Sequence, residues 1–221
     1  TSQVGHTGTL DPMASGVLVL GVGQGTKLMP HLGAEDKRYE TTLRLGRGTN
    51  TLDAEGEVTE RIRVPEGLTL DAVRAAAEAF VGTLSQQAPD VSAIKVAGRA
   101  LHERVRAGET VDAPFRDVMC HQLDVHALTP VADDPEGAMD VTLSLHTGKG
   151  YYVRSLGRDL ALALGTVGHL VQLRRTRNGA FGVDGALDGA LLAGVHDDAC
   201  KAATRAAVRP LAEAVASLGV L

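Results

Sequence analysis

Apolar residues recur along the chain in two rhythms, and the rhythm changes at glycine, proline and asparagine. Residues 38–45 alternate, with Tyr39, Thr41, Leu43 and Leu45 on one side and Arg38, Glu40, Thr42 and Arg44 on the other. That is the pattern of a strand with one face to solvent. Residues 140–146 repeat it through Val141, Leu143 and Leu145. Val17–Val22 (VLVLGV) is short and apolar without interruption, which predicts a buried strand, and His169–Thr176 reads as another. Helical spacing takes over at 70–81, where Val73, Ala76, Ala77, Phe80 and Val81 follow an N-cap at Thr69 and precede a stop at Gly82. It returns at Tyr151–Leu164, with Val153, Leu156, Leu160 and Leu164 on one stripe and Gly165 beyond them. Gly98–Ala107 reads as a short basic helix, Asn178-Gly179 as a turn, 130–137 as a surface loop, and the Ala-rich tail after Ala186 as partly helical. Strands and helices mix without regular βαβ alternation, so the pattern favours an α+β, mixed-sheet architecture.

Composition narrows the class. The 221 residues suit one large domain or two small ones, and contents of 44% hydrophobic and 22% charged are those of a globular protein. No apolar run approaches the length needed to span a membrane, and no membrane partner is expected. Cys120 and Cys200 have neither CxxC spacing nor a histidine cluster nearby in sequence, so reduced thiols in a cytoplasmic protein are expected. The net charge of −5 argues against a nucleic-acid partner. Its distribution argues back. Lys149, Arg154, Arg158, Arg174, Arg175 and Arg177 are opposed only by Asp159 between Thr147 and Gly182, and Lys95, Arg99, Arg104 and Arg106 are tempered only by Glu103. An acidic chain can carry a basic groove.

Candidate chemistry is sparse. GVGQGTK, residues 21–27, follows a strand but fits neither a dinucleotide fingerprint nor a Walker loop, so it reads as a strand-to-helix turn. The histidines are scattered and lack metal-ligand spacing, so no metal is expected. GHTGTLDPMASG, residues 5–16, is more unusual. Pro12 pushes Asp11 toward extended backbone, and the glycines around it admit close approach of another chain or a ligand. An Asp-Pro turn explains the same residues. A lone carboxylate also argues against glycosidase chemistry, which ordinarily uses two. Arg154, between Val153 and Leu156, either takes an anionic partner or is an exposed helix cation. Tyr39, one of few aromatics, is either a functional aromatic or a core-facing strand residue.

Together these stretches resemble the TruB family of tRNA pseudouridine synthases. The resemblance is carried by GHTGTLDPMASGVLVL, DKRYETTLRLG (36–46), TNTLDAEG (49–56), VSAIKVAGRALHERVRAGE (91–109), GKGYYVRSLGRDL (148–160) and GHLVQLRRTRNGAF (168–181), in that order. It implies a pseudouridine synthase catalytic fold over 1–221, a mainly antiparallel central sheet with flanking helices. The implied activity is isomerisation of a uridine in the T-loop of tRNA, without a cofactor. By the same resemblance Asp11 corresponds to the catalytic aspartate, Tyr39 to the tyrosine that stacks on the target uracil, and Arg154 to the arginine paired with that aspartate. His6 corresponds to the histidine that enters the T-loop. Asp53, Lys95, Tyr152 and Leu173 fall in motifs that line the pocket or touch RNA. The implied partner is the T-arm of tRNA, and a monomer is expected. The basic stretches would then be phosphate contacts that position rather than specify. The sequence departs from the family at His102, where tyrosine is usual, and at Asn50, where aspartate is frequent. The family's Leu-Asp-Lys-Pro-x-Gly motif is not found, and no C-terminal RNA-binding domain of the PUA type is expected. A tRNA-binding or tRNA-folding role with incidental catalysis, or action on another RNA, are the alternatives.

Overall fold

The alternating stretch at 38–45 does form a strand, and the rest of the fold is described outward from it. A computed structural model describes residues 3–90, 95–96, 99–100, 109, 113–193 and 197–218. The chain divides into two compact units, Thr1–Arg38 with Arg175–Leu221, and Tyr39–Arg174.

In the first unit, β1 (Val4–His6) precedes β2 (Ser15–Gly16) and β3 (Leu20–Val22). β1 and β3 form a two-stranded antiparallel sheet with Val4 opposite Val22 and His6 opposite Leu20. The buried strand expected at Val17–Val22 is therefore corrected. Only Leu20–Val22 is strand, and Leu20 and Val22 are 48% and 54% exposed. A two-stranded sheet has one covered face, and here the glycine side takes it: Gly5 and Gly21 face the Met29 side chain. The expected strand-to-helix turn at 21–27 is borne out, since a 3₁₀ turn, Gly23–Leu28, follows β3 and leads into α1 (Met29–Leu32).

In the second unit, β4 (Lys37–Leu45) enters from the first unit with Thr41, Leu43 and Leu45 buried. β5 (Arg47–Thr49) and β6 (Val58–Arg61) make a hairpin. α2 (Leu70–Glu78) starts where the sequence places it, with Thr69 Oγ1 accepting from the Ala72 N–H at 3.2 Å. It stops short of Phe80 and Val81, and Val81 is 44% exposed. β7 (Gly82–Gln87) follows directly. β8 (Lys95–Val96) and β9 (Arg99–Ala100) pair antiparallel, so the helix expected over Gly98–Ala107 does not begin at Arg99. The remainder of that stretch, with His102, Arg104 and Arg106, lies outside the described residues.

β10 (Phe115–Pro130) and β11 (Met139–Thr147) form a long antiparallel hairpin around the expected loop. α3 (Val153–Ala163) precedes β12 (Gly168–Asn178). Strand order in the second unit is β12-β4-β11-β10-β7. Its core is aliphatic: Leu43, Leu45, Val141, Leu143, Leu145 and Leu170 of the strands and Leu156 and Leu160 of α3 are all buried. A Cβ at Gly157 would stand 2.9 Å from Leu170 Cδ2 and 3.2 Å from Leu43 Cδ1, so glycine lets α3 lie down on the sheet. The expected α+β architecture with a mainly antiparallel central sheet is borne out.

Back in the first unit, the end of β12 pairs with β13 (Phe181–Gly182) through the Asn178-Gly179 turn, and Gly179 has a φ of +54°. The tail is helical in α4 (Ala190–Ala193), α5 (Asp198–Ala207) and α6 (Leu211–Ala216). Cys120 and Cys200 are both buried free thiols. Among the described residues no helix is long and apolar enough to cross a membrane.

Candidate active site

The candidate residues divide between the two units. Asp11 and His6 belong to the first, and Tyr39, Asp53, Lys95, Tyr152, Arg154 and Leu173 to the second.

Asp11 is half-buried and its carbonyl accepts from the Ala14 N–H at 2.8 Å, so the expected Asp-Pro turn is present. The turn is not free-standing. Arg175, 3% exposed, donates from Nε to the Val17 carbonyl at 2.8 Å and from Nη2 to the Gly8 carbonyl at 3.2 Å. Val17 N–H returns a bond to the Arg175 carbonyl at 2.8 Å, and Asn178 Nδ2 donates to Thr7 Oγ1 at 2.6 Å. The two legs of the Asp11 loop are thereby tied to one strand. Gly16 has a φ of +105°, and a Cβ there would lie 2.1 Å from the Arg175 carbonyl oxygen, so only glycine permits this approach. Arg175 and Asn178 are structural residues that the sequence reading did not single out for this role. The proximity of Arg-Asn to an Asn-Gly turn was the only available signal. His6 is exposed at the end of β1.

In the second unit Arg154 is 6% exposed, which removes the reading of it as a solvated helix cation. Its Nη1 donates to the Thr51 carbonyl at 2.7 Å and lies 3.6 Å from Asp53 Oδ2, an ion pair rather than a hydrogen bond. Asp53, 4% exposed, is held in turn. Its Oδ1 accepts from Thr51 Oγ1 at 2.5 Å and from the Glu55 N–H at 3.1 Å, the pattern of an Asx turn. Its carbonyl accepts from Thr49 Oγ1 at 2.8 Å. Leu52, one residue before, has a φ of +63°, and its carbonyl accepts from the Leu170 N–H at 3.0 Å. A left-handed leucine persists only where its surroundings over-determine it. The TNTLDAEG loop is thus a stiff seat for one guanidinium.

Tyr152 precedes Arg154 at the N-cap of α3 and is half-buried. Tyr39 is half-buried on β4, and Leu173 is buried on β12. Thr41 Oγ1 donates to the Gln172 carbonyl at 2.6 Å across those two strands. Lys95 opens β8, and its side chain lies outside the described residues. Tyr151 is also buried, and burial, with Cys120 beside it, pushes its phenol well above the ordinary range. That residue is built for packing, not for proton transfer.

The expected phosphate contacts need correction. Arg154 and Arg175 are buried, and Arg158 pairs with Asp159 at 2.8 Å, so Lys149, Arg174 and Arg177 are the exposed cations of that stretch.

Comparison with known proteins decides the family. The family model described as TruB family pseudouridylate synthase (N terminal domain) matches residues 1–153. The chain belongs to the TruB family. It is 46% identical over 220 residues to tRNA pseudouridine synthase B of Thermobifida fusca, covering 98% of this chain and 70% of that protein. It is 46% identical over 184 residues to tRNA pseudouridine synthase B of Paenarthrobacter aurescens, covering 83% and 58%. Among solved structures, a chain of a Cbf5-Nop10-Gar1 complex aligns with TM-score 0.66 at 26% identity, over 98% of this TruB-family chain and 54% of that one. The match to the TruB model takes in the Asp11 loop, Tyr39 and Asp53.

Proposed function

We propose that this chain carries the isomerase chemistry of a tRNA pseudouridine synthase, acting on a uridine in the T-loop. The observation that carries the reading is the Asp11 loop: one carboxylate on a turn tied at both legs by Arg175, within the stretch matched by the family model. The reaction breaks the N1–C1′ bond, turns the uracil, joins C5 to C1′ and releases the C5 proton. Atoms balance without a redox partner or a transferred group. Asp11 is the carboxylate that acts at the nucleoside, as nucleophile or as base at the sugar, and it must be ionised to do either. Arg154 is the arginine that the family resemblance assigns to the same reaction. Tyr39 stacks on the uracil while it turns.

The target base must leave the RNA stack to reach any such site. His6, exposed at the end of β1, contacts the opened loop, and Tyr152, Leu173 and Lys95 contact the base or the strand beside it. Asp53 acts behind Arg154, which it faces at 3.6 Å. The partner in this reading is the T-arm of tRNA, met by a monomer in the cytoplasm. The two buried free thiols suit a reducing compartment.

The test is tritium release from a T-arm hairpin transcribed with uridine tritiated at carbon 5. The expected result is release by the wild-type chain and none above background by Asp11→Asn. Undiminished release by Asp11→Asn, or none by the wild type, refutes the proposal.

A further inference from the structure

The first turn of α3 is held by a side chain that none of the motifs points to. Gln86, 4% exposed near the end of β7, turns its whole amide onto one residue. Its Nε2 donates to the Tyr152 carbonyl at 2.9 Å, and its Oε1 accepts from the Tyr152 N–H at 2.8 Å. This is the reciprocal pair of bonds that two antiparallel residues exchange, with a side chain in place of one backbone. Tyr152 needs it. It is the N-cap of α3, in extended conformation (φ −106°, ψ 109°), and no side chain caps the helix there. The neighbouring residue adds to the grip: Ser155 Oγ donates to the Gln87 carbonyl at 2.7 Å, and Arg158 Nη2 to the same oxygen at 3.4 Å. Arg154 lies between Tyr152 and Ser155, inside the clamped turn.

Two proposed site residues therefore leave the backbone from a segment whose direction Gln86 sets. We propose that Gln86 is a positioning residue for the isomerisation: it fixes the Tyr152 peptide, and through it the aim of the Tyr152 ring and the Arg154 guanidinium. This rests on the function proposed above and adds a residue to it. Near neutral pH its closest relatives cannot do the same work. Asparagine is a methylene short, and an ionised glutamate accepts but cannot donate. Buried in a low-dielectric setting, loss of one of these bonds leaves a polar group unsatisfied, which is a large penalty for a small displacement.

Glutamate at this position separates positioning from simple support. A protonated carboxyl both donates and accepts, so Gln86→Glu at low pH reproduces both bonds. Ionised, it loses the bond to the Tyr152 carbonyl. Burial raises the pKa of such a carboxyl above the ordinary value of about 4.3. The charged groups on the elements around it are Arg154, Arg158 and Asp159 of α3 and Arg116 and Asp117 of β10, with Arg116 directly opposite Gln86 in the β10–β7 register. The arginines oppose the rise from burial, so the transition falls between the ordinary value and neutrality.

The experiment measures kcat and KM for tritium release by wild type, Gln86→Glu and Gln86→Met, with folding followed by circular dichroism at each pH. The expected result for Gln86→Glu, expressed as a ratio to wild type at the same pH, is near-normal kcat at about pH 5 and at least about a tenfold loss at about pH 8, with KM changed less than about threefold. Gln86→Met loses kcat at every pH with no such trend. A Gln86→Glu ratio that is flat with pH, a loss confined to KM, or a variant unfolded at low pH overturns the role of Gln86. Wild-type protein without isomerisation overturns the function itself, so the two failures are told apart.

Discussion

Asp53→Asn is the most direct probe of the seat beneath Arg154. The carboxylate and the guanidinium are both about 5–6% exposed and 3.6 Å apart. At an effective dielectric of about 20, that separation corresponds to about 4.6 kcal/mol of attraction. Neutralising Asp53 also relieves the penalty of burying its charge, so the net loss is smaller, about 3 kcal/mol. Asparagine keeps Oδ1 and with it the bonds from Thr51 Oγ1 and the Glu55 N–H. What changes is the Oδ2 position, where an NH₂ now points at Arg154 Nη1, donor against donor. The loop should hold its Asx turn while the guanidinium shifts. Urea unfolding should show the midpoint falling at unchanged slope, and single-turnover tritium release should fall with it by at least about tenfold if Arg154 acts in the transition state. A stability loss under about 0.5 kcal/mol together with an unchanged rate would refute the reasoning. Arg154 would then be held without help from Asp53, which would be a bystander.

Two further outcomes follow from groups outside the proposed chemistry. Burial lowers the pKa of His169, whose Nδ1 faces the Arg47 carbonyl at 2.7 Å, so the folded chain keeps this ring neutral while the unfolded chain protonates it near its ordinary value of about 6.5. Stability from this group is full above that pH and is lost as pH falls through it; melting temperatures from about pH 7.5 to 5 should decline for wild type and decline less for His169→Gln. Gly16→Ala forces a side chain onto a φ of +105° and within 2.1 Å of the Arg175 carbonyl, so a loss of about 3 kcal/mol or more is expected in urea unfolding; wild-type stability in that variant would mean that the Asp11 loop is not tied to β12 in this way.

How far the sequence could be read depended on how regular each element is. β4 and β11 were legible because their burial alternates without interruption and the register of one face carries Leu43, Leu45, Val141, Leu143 and Leu145 inward. β10, at 16 residues longer than either, gave no such signal. Its pairing shifts between Cys120 and Gln122 and again between Val125 and Ala127, and each extra residue reverses the phase of alternation. Val118 and Cys120 are buried, then Val125, on positions of opposite parity. Period-two counting cancels across such a strand. β7 was hidden differently: it begins one residue after the apolar stripe of α2 runs out, and its own TLSQQ has little apolar content. The candidate site divided the same way. Asp11, Tyr39, Asp53 and Arg154 stand in motifs that the family resemblance exposes. Gln86 and Arg175 act through backbone atoms far along the chain, Asn178 through the distant Thr7 hydroxyl, and no local pattern marks a side chain for a partner 66 or 167 residues away.

The two buried arginines also change what the charge of the chain means. A run of cations in an acidic protein invites the reading of an RNA-binding stripe, and residues 149–177 have that appearance. Yet Arg154 and Arg175 both direct their guanidinium nitrogens to backbone carbonyls inside the unit that holds them. Such a cation displaces no phosphate counterion and adds nothing to salt-dependent affinity. It supplies something a surface lysine cannot: a planar, always-charged group fixed by several directional bonds. One of these arginines braces the turn that carries Asp11, and the other sits as a held charge over Asp53. Their burial leaves a chain of net charge −5 with fewer surface cations than the run suggests. The demand on arginine in this chain is first for geometry, and only Lys149, Arg174 and Arg177 of that run are left to meet a phosphate backbone.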